Sequence, residues 1–70
     1  MSKIINDIKS RVSKMHSLVG YECCALVNEL DEKATEQEWI NAWNTDQSII
    51  MGMINDMELL CGEINKEDYE

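Results

Sequence analysis

The sequence predicts an all-α protein: an antiparallel helical hairpin of two long helices that dimerises into a four-helix bundle. Three observations predict it. The 70 residues include no Pro, and the β-branched residues do not alternate with polar ones. Apolar residues recur instead in steps of three or four, the helical period. One short polar stretch, Asp31-Glu32-Lys33-Ala34, separates two such series.

The first series runs through Ile5, Ile8, Val12, Met15, Val19, Cys23, Leu26 and Leu30. Ser2 is placed to cap its start. Gly20 sits mid-series, costs about 1 kcal/mol relative to Ala, and marks a point where the helix can kink or break. After the polar stretch, Thr35-Glu36-Gln37-Glu38 forms a capping box. The Thr35 hydroxyl can accept from the Glu38 N–H while the Glu38 carboxylate reaches back to Thr35. Glu36 and Glu38 also suit the positive end of a helix dipole. The second series is Ile40, Trp43, Ile50, Ile54, Met57, Cys61 and Ile64, and the tail from about residue 65 is polar. The expectation is one domain over residues 1–70, with a helix over about 3–31, a turn at about 32–34 and a helix over about 35–65. Each helix would be ~45 Å long. So short a turn makes them antiparallel.

A lone hairpin needs one narrow apolar stripe per helix, and these stripes are wide. On helix 2 the apolar positions span close to 200° at about 100° per residue, from Ile49 through Trp43 to Met51. On helix 1, Leu18, Tyr21, Cys24 and Ala25 fall opposite the main stripe. Those four residues are the candidates for self-association. A two-fold dimer is the simplest cover for the surplus, because its contact is self-complementary. Glu22 is expected beside Thr45 or Gln47 as a polar layer that sets register.

The charge excludes some partners. The formal net charge is −8. Residues 1–14 carry Lys3, Lys9, Arg11 and Lys14 against Asp7, a net of +3, and the remainder carries −11. Phosphate backbones and anionic lipid surfaces repel such a chain, so neither nucleic acid nor membrane is an expected direct partner. The basic residues of the first helix read as solvated flanks. No apolar signal segment opens the chain, and no apolar run approaches the ~20 residues that span a bilayer. A reducing cytoplasm is the expected compartment (a host cytoplasm if the chain is phage-encoded).

No chemistry-bearing pattern emerges. The single histidine, His16, lies at the edge of the first stripe and reads as a boundary residue. Cys23 and Cys24 are adjacent, and the hairpin register puts Cys61 beside Ile5 and Ile8, far from them. That spacing argues against a shared metal or an intrachain disulfide, and the three cysteines read as small hydrophobes. No phosphate-binding or nucleophile motif is present. No enzyme activity, cofactor or metal is expected.

Binding remains. Trp39 and Trp43 share one face at the start of helix 2, and Trp is enriched at interface hot spots. Ile49, Met51 and Met53 add an adaptable apolar surface. Glu38, Asp56, Glu63 and Glu67 fall within about 40° on an ideal helix, making a sparse negative strip. These nine residues are the candidates for a partner-binding face. The expected function is an acidic, non-enzymatic interaction module that binds and blocks a host protein, by analogy with small phage or mobile-element accessory proteins. The alternatives are a nucleic-acid mimic, whose negative strip occupies a DNA- or RNA-binding groove, and a structural or assembly factor.

Overall fold

Both predicted helix starts are present. The computed structural model describes residues 2–20, 23–53 and 61–69. The first helix, α1, spans Lys3–Val19, and the Ser2 side chain accepts from the Ile5 N–H at 3.3 Å as its cap. A third helix, α3, spans Glu36–Met53. The capping box closes it in both directions: the Thr35 N–H donates to the Glu38 carboxylate, and the Glu38 N–H donates to Thr35 Oγ1, each at 3.2 Å.

The continuous helix expected over 3–31 is interrupted. α1 stops at Gly20, whose φ of +105° and ψ of 178° suit a residue without a Cβ. Cys24 then adopts a left-handed conformation, with φ 60° and ψ 43°, before a single-turn helix α2, Ala25–Asn28. This break resets the helical phase. The buried set on α1 is Ile4, Ile8, Val12 and Met15, but it continues through Cys24 and Val27. The uninterrupted period had pointed to Cys23 and Leu26. The second long helix is shorter too, since residues 61–65 are not helical and a 3-10 turn, Lys66–Tyr69, follows them.

Two reversals instead of one change the topology. Ser2 Oγ donates to Glu36, Lys9 lies over the Trp39 ring and Arg11 over that of Trp43. The paired numbers rise together, so α1 and α3 run in the same sense. The antiparallel pairing of a simple hairpin is therefore corrected: the segment from α2 to Thr35 makes the return stroke between the two helices. At 1.5 Å per residue, α1 and α3 are each about 25 Å long, which matches the longest molecular extent of 29 Å. Rods of ~45 Å do not fit.

The chain itself covers most of α3. On that helix the buried residues are Trp39, Ile40, Ala42, Trp43, Asp46, Gln47 and Ile50, an arc of about 160°. No single neighbour shields so much. α1 packs on one part and α2 on another, and residues 61–64 fold back over a third. That return segment is pinned by side chains. Trp43 Nε1 donates to the Gly62 carbonyl at 2.8 Å. Asn44 both accepts from the Ile64 N–H at 2.7 Å and donates to the Ile64 carbonyl at 3.2 Å, as a neighbouring strand would. Cys61 and Ile64 complete the core. Tyr69 donates to Asp7, which also pairs with Arg11 at 3.1 Å. Lys66 reaches Glu36 at 3.8 Å. No strand occurs among the described residues.

Candidate protein-interaction surface

The parallel register brings the unburied apolar residues of α1 and α3 to similar levels along the helices. Among the described residues, five large hydrophobic side chains face water: Leu18 at 66% exposure, Ile49 at 57%, and Val19, Leu26 and Met51 near 40%. With Arg11 level with Trp43, residues 18–19 of α1 come level with residues 49–51 of α3. Leu26 joins them, because the Val27 N–H donates to Asp46 at 2.9 Å. All five therefore lie towards the end of the molecule where α1 and α3 stop. The cause lies in the geometry of α3: Ile49 and Met51 sit at opposite edges of its wide stripe, just beyond the arc that the chain covers.

The predicted binding residues divide accordingly. Ile49 and Met51 are exposed as expected, and so is Leu18 among the self-association candidates. Ala25 is exposed as well. Cys24 is not: it is buried, with its thiol 3.8 Å from the Met15 sulfur. Trp43 is fully buried and Trp39 nearly so. Each indole is roofed by a basic side chain of α1, at 5.5 Å for Lys9 and 5.9 Å for Arg11, a contact that covers the ring face and holds the cation. Those two cations were expected to be simple solvated flanks.

The negative strip does not survive on one helix. Glu38, Glu63 and Glu67 are all exposed. However, Glu38 belongs to α3, Glu63 to the extended return and Glu67 to the 3-10 turn. Tyr21, Glu22, Asp56 and the side chain of Met53 lie outside the described residues. Of the expected polar layer, Gln47 is buried and donates to the Asn44 carbonyl at 3.2 Å, while its Oε1 has no partner. Thr45 is exposed.

Sequence reasoning missed Asp46. Its carboxylate is buried and satisfies the Val27 N–H inside the first turn of α2, a cap supplied from another helix because Cys24 offers none. Burial pushes the Cys24 thiol from its ordinary 9.0 up to about 12, with Cys23, Asp46 and Cys61 adding to the effect. Burial raises Cys61 too, partly opposed by Arg11. Such thiols are protonated and unreactive at neutral pH. Among the described residues no group of three His, Cys, Asp or Glu side chains is arranged to hold a metal, and no helix is long and apolar enough to cross a membrane.

No family model, curated protein or solved structure matches this chain.

Proposed function

We propose that this chain is a small, acidic, non-enzymatic protein-interaction module of a cytoplasm. It pairs with a second copy of itself and acts as an inhibitor or regulator by covering a surface of another protein. The observation that supports this reading is the apolar end formed by Leu18, Val19, Leu26, Ile49 and Met51. The four-helix bundle of the proposed dimer takes α1 and α3 from each copy, joined by a two-fold contact that includes these side chains. The excess negative charge keeps the exposed apolar end soluble and favours partners with basic surfaces. Mimicry of a nucleic-acid backbone is the weaker reading, because the acidic residues are divided among separate elements.

Sedimentation across a concentration series tests the pairing. The parent is expected at the mass of two chains, and Leu18→Gln with Ile49→Gln at that of one, folded by circular dichroism. The same double variant is expected to lose capture of the native partner. A parent that remains a single folded chain at every concentration, and a variant that keeps its partner, would together refute the reading.

A further inference from the structure

A second surface, away from the apolar end, has a different chemistry. Between α1 and the return stroke lies a groove of about 340 Å³, at the lower end of the range for small-ligand sites. One wall carries Lys9, Ser13 and His16, at the i, i+4, i+7 spacing of a single face of α1, and Asn28 faces them from α2. The apolar lining is Val12, Val27, Leu30 and the edge of Trp39. In a chain of net charge −8, no carboxylate among the described residues lines this groove. The ion pairs among the described residues are Arg11–Asp7 and Lys66–Glu36. Lys9 belongs to neither and rests over Trp39. The groove is also tied in place: Asn28 Nδ2 donates to the Cys23 carbonyl at 3.2 Å, and His16 Nε2 lies 3.3 Å from that same carbonyl.

We propose that this groove binds a carboxylate joined to an apolar group, with the Lys9 ammonium taking the charge, the Ser13 hydroxyl donating beside it, and Val12, Val27, Leu30 and Trp39 holding the apolar part. One ammonium with a neutral donor matches a single negative charge. A phosphate dianion calls for an Arg fork or several cations, and neither lines the groove. Two sources share this chemistry: a free hydrophobic acid, and the C-terminus of a peptide ending in a hydrophobic residue. The site is independent of the apolar end, so the variant Leu18→Gln with Ile49→Gln is expected to bind normally.

Titration followed by amide and indole NMR shifts tests the proposal. The probes are 3-phenylpropanoate, its neutral amide, and the tripeptide Ala-Leu-Phe with a free or an amidated C-terminus. Saturable shifts at residues 9, 13 and 28 and at the Trp39 indole are expected with the free acid or the free-ended peptide. The tighter of the two identifies the source. Each neutral counterpart is expected to bind about tenfold more weakly or worse. Lys9→Met is expected to cost the acid about tenfold, while Lys14→Met, the same charge change on the same helix but outside the groove, costs nothing. Equal binding of acid and amide, equal losses in the two lysine variants, or no saturation by either acid would overturn it.

Discussion

Replacing Asp46 by Ala tests the contact that joins the return stroke to α3. Asp46 is only 4% exposed, and its carboxylate accepts from the Val27 N–H at 2.9 Å. Removing it takes away a charge-assisted hydrogen bond, worth about 1.5–3 kcal/mol, and leaves the Val27 N–H to seek another partner. Two gains oppose this: the cost of burying the charge disappears, and Ala has the higher helix propensity. The net expectation is a loss of about 2 kcal/mol. A chain of this size has only ~3–5 kcal/mol from its core. For a domain of 60–100 residues the loss corresponds to a fall in Tm of roughly 8–16 °C. Asp46→Asn keeps an acceptor at the same place without the charge, and is expected to lose about half as much. Thermal and urea unfolding by circular dichroism measure both variants. If Asp46→Ala proves as stable as the parent, the bond to Val27 does not outweigh the desolvation of the carboxylate, and α2 is held by apolar packing alone.

Gln47→Met removes the buried Oε1 that has no donor, at the expense of the bond to the Asn44 carbonyl. It is expected to be neutral or stabilising by up to about 1 kcal/mol in urea unfolding, and a loss above 1 kcal/mol would contradict the assignment. Alkaline pH should destabilise the fold. Cys24 and Cys61 are raised above their ordinary 9.0, and Tyr69 above 10.0, mainly through its hydrogen bond to Asp7. The unfolded chain therefore releases these protons first. The contribution of Cys24 is complete below about pH 9 and declines as pH climbs towards 12, by about 1.4 kcal/mol per pH unit, and those of Cys61 and Tyr69 fall in the same direction above their ordinary values. Urea midpoints constant from pH 8 to 11 would refute this. Alkylation at pH 8 followed by mass spectrometry should label the half-buried Cys23 well before Cys24 or Cys61.

Several local features were readable from the chain alone. The helical class, the Ser2 cap, the Thr35–Glu38 box and the weak point at Gly20 were all legible. So was the excess of apolar residues around α3, two of which, Ile49 and Met51, do remain exposed. Each depends on residues within about four positions of one another, the range over which capping, helical period and backbone propensity act. Three-dimensional packing decided the rest. The left-handed Cys24 shifted the buried phase by one residue, and the second reversal turned an antiparallel pair into a parallel one. Asp46 met a helix whose numbers lie nearly twenty positions away, and Asn44 met a segment as far off in the other direction. A periodic pattern states how much of a helix must be covered, but it does not name the cover, because burial rewards apolar contact without regard to which part of the chain supplies it.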